Sequence, residues 1–166
     1  MASSKLKTVG TILELEFAAE CVRRGAIVSQ PFGDNAHYDS LVDNGTRIYR
    51  VQVKAASLKT DGKSFSVNLT RKLPKMRPAA PGGSSRSVPY EEGTLDCIVT
   101  KAGGTWFFFD RPHLLTANEG IYPEAEIDRY KGNRGRERWD LIGLAVDSDR
   151  RERKLVTFVD ERKPVL

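Results

Sequence analysis

At 166 residues and 39% hydrophobic, the chain can build one domain of ordinary size with a real core, and its formal charge of +5 suits a polyanionic partner without requiring one. Cys21 and Cys97 sit among apolar neighbours and read as buried thiols, and two histidines (His37, His113) without a cysteine cluster argue against structural zinc. No apolar run is long enough to span a bilayer and the N-terminus lacks a signal-peptide core, so the expectation is a cytoplasmic (intracellular) protein with no membrane partner.

Residues 5–24 read as a helix, with Ser3 or Ser4 as N-cap and Gly25 as the stop. A short β run follows at 26–32, closed by Pro31 and Gly33. Residues 38–43 and 47–55 flank Asn44-Gly45, whose positive φ angles suit a tight hairpin turn. Residues 64–69 alternate and are expected as a third hairpin partner. The stretch 71–93, rich in Pro, Gly and Ser, reads as a long mobile loop. Strands resume at 95–101 and 105–110, and "RPHLL" turns away from them. From Glu124 the chain is strongly charged, with a last strand expected at 153–160. One helix followed by a mostly antiparallel sheet, without internal repeats, is an α/β or α+β pattern in a single domain, 1–166.

The strand 47–55 places Arg50, Gln52 and Lys54 on one face and Tyr49, Val51 and Val53 on the other. The register about Asn44-Gly45 brings Asp39 opposite the Gln52–Lys54 end of that strand. In the helix, Phe17, Ala18, Cys21 and Val22 form an apolar stripe with Glu14 near its middle, while Glu16, Glu20 and Arg23 lie opposite as solvated charges. A carboxylate in an apolar stripe needs a partner. For Glu14 alone, a place at the edge of the helix interface, reaching solvent or pairing with Lys54, would be the plainer account; beside Asp39, Gln52 and Lys54, a chemical account is preferred.

Two carboxylates and an amide oxygen are hard ligands of the kind Mg²⁺ accepts. Such an ion polarises a phosphate and lowers the pKa of a bound water. Lys54 beside it would orient or deprotonate the water, or stabilise charge growing on the phosphate. The set suits phosphodiester hydrolysis.

The segment "GTILELEFAAECVRRGAIVSQPFGDNAHYDSLVDNGTRIYRVQVKAA" resembles the catalytic core of the PD-(D/E)XK nuclease superfamily, and within it the group I intron homing endonucleases, with Holliday-junction resolvases as more distant relatives. The resemblance covers residues 8–70 closely and the remainder loosely, through "LDCIV", "WFFFD" and "RERWDLI". It implies a restriction-endonuclease-like α/β core, a central mixed β-sheet flanked by helices. It assigns Glu14, Asp39, Gln52 and Lys54 as catalytic residues, the first three as ligands of Mg²⁺, for which Mn²⁺ can substitute. The superfamily's usual third acid is Gln52 here, which removes a negative charge; glutamine at this position is a feature of the intron-endonuclease branch.

The implied activity is metal-dependent endonucleolytic cleavage of double-stranded DNA, homing-endonuclease-like. The alternatives are a resolvase acting on branched DNA and a non-catalytic DNA-binding protein on the same fold. A small one-domain nuclease most simply cuts both strands as a symmetric homo-oligomer, a dimer or a tetramer. Arg71, Lys72, Lys75, Arg77 and Arg86 make the loop 71–93 a candidate DNA-binding element. Arg134 and Arg136, in "RYKGNRGRERWD", offer a second phosphate contact or a subunit interface, and Trp139 would anchor either. The run "WFFFD" reads as core, and Asp96 as a group supporting the site from behind.

Overall fold

The computed structural model describes residues 2–33, 36–72, 87–110, 117–125 and 130–146. Helix α1 spans Ala2–Arg23. It therefore begins before Ser3 and Ser4, which lie within it rather than capping it. It ends as expected at Gly25, which has φ +88°, with the Ala26 N–H donating back to the Cys21 carbonyl at 3.1 Å.

Five strands form the central sheet: β1 (Ile27–Ser29), β2 (Ser40–Asp43), β3 (Ile48–Val53), β8 (Cys97–Ala102) and β9 (Thr105–Phe109), in the order β1-β2-β3-β8-β9. Pairing is antiparallel except for β3 with β8, which run parallel, so the sheet is mixed as the resemblance implies. The β2–β3 turn differs in detail from the tight turn expected. Gly45 alone takes positive φ (+86°), while the Asn44 side chain accepts from the Thr46 and Arg47 N–H groups at 2.9 and 2.8 Å.

Strand β5 (Phe65–Asn68) is not a partner of β3. It belongs to a separate three-stranded sheet, between β4 (Ser57–Leu58) and β10 (Asn118–Ile121). The edge of β3 that it would have occupied is taken by β8. Within 71–93, β6 (Arg71–Lys72) pairs antiparallel with β7 (Ser87–Val88), so the ends of this stretch form a ribbon rather than open loop. The strand expected at 153–160 lies outside the described residues, as do "RPHLL" and His113.

Alternation along β9 divides the core. Trp106 and Phe108 join Phe17, Cys21, Val42, Val51, Val53, Cys97 and Val99 beneath α1, while Phe107 and Phe109 join Val67, Leu69, Leu95, Ile98 and Ile121 on the opposite side. All four aromatic residues of this run are buried, as expected. Both thiols are buried and unpaired.

Trp139 belongs to the first core and does not anchor an interface. It is wholly buried, its ring stacked on Phe17 at 6.0 Å and edge-on to Phe108 at 4.8 Å. Its segment packs tightly within the chain: a Cβ at Gly135 would stand 1.9 Å from the Phe108 carbonyl oxygen, so only glycine fits. The buried Asn133 side chain both accepts from and donates to the Tyr122 main chain at 2.9 Å.

The inward side at the C-terminal end of α1 also differs from the one its period suggests. Val22 is exposed, whereas Glu20 and Arg24 turn inward, with the Arg24 guanidinium 4.0 Å over the Trp139 ring and 3.0 Å from Glu20. Glu20 is therefore not the solvated charge that helical periodicity suggests. Glu16 stays at the surface, paired with Lys101 at 2.9 Å.

Candidate active site

The register of β2 with β3 sets Ser40 opposite Val51, so the next pair, at the open end of the hairpin, is Asp39 with Gln52. The Asp39 N–H donates to the Val51 carbonyl at 3.0 Å and extends the ladder by one step. Beyond it the Asp39 side chain takes over the ladder's role. Its Oδ2 accepts the Val53 N–H at 2.8 Å and also the Gln52 Nε2–H. Val51 and Val53 point into the core beneath α1, and Gln52 lies half-buried on the other face.

Lys54 follows directly. Its N–H donates to the Val99 carbonyl at 2.8 Å, prolonging the parallel ladder to β8 and fixing where the side chain starts. Its Nζ donates to the Thr70 carbonyl at 3.2 Å and stands 5.5 Å from the centre of the Tyr90 ring. Because β3 has a strand on each side, Gln52 and Lys54 rise from the middle of the sheet rather than from an edge. Glu14 comes from α1 and is half-buried, near enough for Asp39 to act on its charge.

The electrostatics are unfavourable for bare carboxylates. Burial raises the Glu14 pKa, and the neighbouring Asp39 charge raises it further. Burial also raises that of Asp39, opposed by the Val53 N–H and by Lys54. Burial lowers the pKa of Lys54, and Lys72 adds to this, while Asp39 works the other way. Two acids that raise the cost of ionising, only one of them acting on an ammonium, form a site to which a further positive charge would be welcome.

The donor set fits a hard divalent cation. Gln52 spends its Nε2–H on Asp39, which leaves the amide oxygen free to ligate. Asp39 spends Oδ2 on its two donors, which leaves Oδ1. Among the described residues no three His, Cys, Asp or Glu side chains cluster as a metal site, so the third oxygen would come from Gln52, with Glu14 and Asp39.

The remaining expected residues are scattered. Arg71 is engaged with Glu91 at 2.6 Å, and Lys72 is exposed on the same short strand. Arg134 is exposed, but the Arg136 guanidinium is committed to the Pro123 and Ala125 carbonyls (3.1 Å to the latter) and holds the chain together rather than facing outward. Lys75, Arg77 and Arg86 lie outside the described residues. Asp96 does not reach the four-residue centre. It accepts the Arg50 N–H at 2.8 Å and the Arg47 guanidinium at 2.9 Å, steadying β3 two residues before Gln52.

Sequence reasoning overlooked the surroundings of Lys54, namely the Thr70 carbonyl and Tyr90. No local pattern marks them, because they flank the short β6–β7 pairing, which a Pro- and Gly-rich stretch conceals.

Residues 4–109 match the family model described as PD-(D/E)XK endonuclease. Among solved structures, the chain is similar in fold to a bacterial homing endonuclease, I-Ssp6803I, with 18% identity and a TM-score of 0.59 over 80% of this chain and 87% of that one. No curated protein matches. The matched region contains Glu14, Asp39, Gln52 and Lys54.

Proposed function

The chain belongs to the PD-(D/E)XK endonuclease family, and we propose that it is a metal-dependent DNA endonuclease centred on Glu14, Asp39, Gln52 and Lys54. The observation that carries this reading is the Asp39 carboxylate, tied through one oxygen to Gln52 and Val53, which leaves its other oxygen and the Gln52 amide oxygen available as ligands. Nucleases of this family generally use divalent metal ions; Mg²⁺ is the natural choice for this oxygen set, and Mn²⁺ is expected to substitute. A divalent cation held there would polarise the scissile phosphate and make a bound water a better nucleophile.

The protein's own part is positioning and charge. Asp39 and Gln52 are held by main-chain pairing at the centre of a sheet, so their oxygens are fixed before DNA arrives. Lys54 presents an ammonium near the Asp39 carboxylate, where charge grows on the phosphate as water adds and the ester P–O bond breaks. Lys72, with Arg134 and the basic residues Lys75, Arg77 and Arg86, would meet the DNA backbone.

We take the substrate to be double-stranded DNA cut in a homing-endonuclease-like manner by a single-domain, homo-oligomeric protein. The similar fold of a homing endonuclease supports this reading. Incubation with a randomised duplex library and with four-way junctions, each with Mg²⁺, Mn²⁺ or EDTA, tests it. Metal-stimulated cutting of duplex supports the reading, and preferential junction cutting replaces it with a resolvase. Salt-sensitive binding without cutting in any metal would make the protein a non-catalytic binder.

A further inference from the structure

We infer that Tyr90 is a positioning residue for Lys54: its aromatic face, together with the Thr70 carbonyl, holds the ammonium at the point from which it acts on the scissile phosphate. The inference rests on the proposed role of Lys54. A lysine at the end of a strand carries a long flexible stem, and a useful ammonium has to be restrained without being neutralised. Two groups in the structure meet that requirement. The Thr70 carbonyl accepts from Nζ at 3.2 Å, and the Tyr90 ring centre lies 5.5 Å from Nζ, within the range of a cation–π contact. Neither is an anion, so both hold the charge without cancelling it.

Tyr90 is itself fixed. It is 7% exposed and packs in the second core with Leu95, Ile98 and Phe107. On one side, the chain is tied two residues earlier by pairing of Val88 with Arg71; on the other, one residue later, by the Glu91–Arg71 ion pair at 2.6 Å. Arg71 thus latches both flanks of Tyr90. Burial, then the charge of Asp39, push the Tyr90 hydroxyl pKa up to about 12, so at neutral pH the ring is uncharged and its face is fit to receive an ammonium. Arg71, assigned from sequence to DNA binding, acquires a structural part in this arrangement.

The test compares Tyr90→Phe, which keeps the ring, with Tyr90→Leu, which keeps apolar bulk; Tyr90→Met replaces the latter should it fail to fold. The first readout is independent of activity: the Lys54 side-chain protons, assigned by their loss in Lys54→Ala, should be displaced upfield by the ring in wild type and Tyr90→Phe but not in Tyr90→Leu. The second is single-turnover cleavage beside DNA affinity. A cation–π contact of about 1–2 kcal/mol corresponds to a loss of roughly 5- to 30-fold in rate for Tyr90→Leu at unchanged affinity, with Tyr90→Phe close to wild type. The inference is overturned if Tyr90→Leu leaves the Lys54 resonances or the rate unchanged, or if Tyr90→Phe loses as much as Tyr90→Leu. Should wild type cut nothing, the proposed activity falls, yet the resonances still decide whether Tyr90 holds Lys54.

Discussion

Gln52→Glu would restore the acid that this superfamily usually carries, and the structure says what it costs without metal. Gln52 Nε2 donates to Asp39 Oδ2; a glutamate has no such donor and sets a second negative charge against the first. Two unit charges about 4 Å apart interact by roughly 4 kcal/mol at an effective dielectric constant of ~20. Partial exposure and proton sharing by the pair reduce this, and loss of the hydrogen bond adds about 1 kcal/mol. A destabilisation of about 2–3 kcal/mol follows for the metal-free protein at neutral pH. For a chain of this length each kcal/mol moves Tm by roughly 2–4 °C, so thermal unfolding in EDTA should fall by about 4–12 °C. Saturating Mg²⁺ supplies the missing positive charge, so the variant should gain more Tm from Mg²⁺ than wild type does and recover most of the gap. Circular dichroism melts of both proteins, in EDTA and in excess Mg²⁺, check this. An unchanged Tm in EDTA, or equal gains from Mg²⁺, would refute the view that Gln52 faces Asp39 and a shared cation.

Glu14 and Asp39 both have folded-state pKa values raised by burial, so their contribution to stability is fully present below the ordinary carboxylate range and is lost as pH rises through the raised values. Glu14→Gln should therefore melt higher than wild type in EDTA at neutral pH, the difference shrinking toward about pH 4; a difference that grows on acidification would contradict this sign. Trp139→Ala empties the middle of the first core and should cost about 3–5 kcal/mol in thermal or denaturant unfolding, whereas a weakened oligomer with an intact fold would return Trp139 to an interface role. Neutralising Lys72 and Lys75 together should weaken DNA binding and reduce the slope of log affinity against log salt by about 2, and an unchanged slope would remove both from the phosphate contacts.

The sequence was most informative where chemistry and period agree. Asp39, Gln52 and Lys54 could be placed together because a two-residue period and a single turn determine their register, and the structure keeps that register although the turn is built by the Asn44 side chain. The helix was harder to read. Its period correctly buries Phe17 and Cys21, but the inward rotation of Arg24 depends on Trp139, which is remote in sequence and presents a ring at that spot. Strand β5 was misplaced for a related reason: alternation identifies a strand but not its partner, and β8 reaches the edge of β3 from more than forty positions further along the chain. The β6–β7 ribbon carried no signal, since its two-residue strands are too short to show a period. Arg136 illustrates the limit of charge counting, because a guanidinium that binds main-chain carbonyls looks the same in sequence as one awaiting a phosphate.

The proposed function stands or falls on the role of Lys54 in cleavage at a metal site made by Glu14, Asp39 and Gln52. Its most direct test is single-turnover cleavage of a duplex selected from the library, run for wild type and Lys54→Ala side by side with Mg²⁺, while DNA affinity is measured on the same samples. From this role follow metal-dependent cutting by wild type and none by Lys54→Ala, with DNA affinity nearly unchanged. Cutting by Lys54→Ala at the wild-type rate would contradict it.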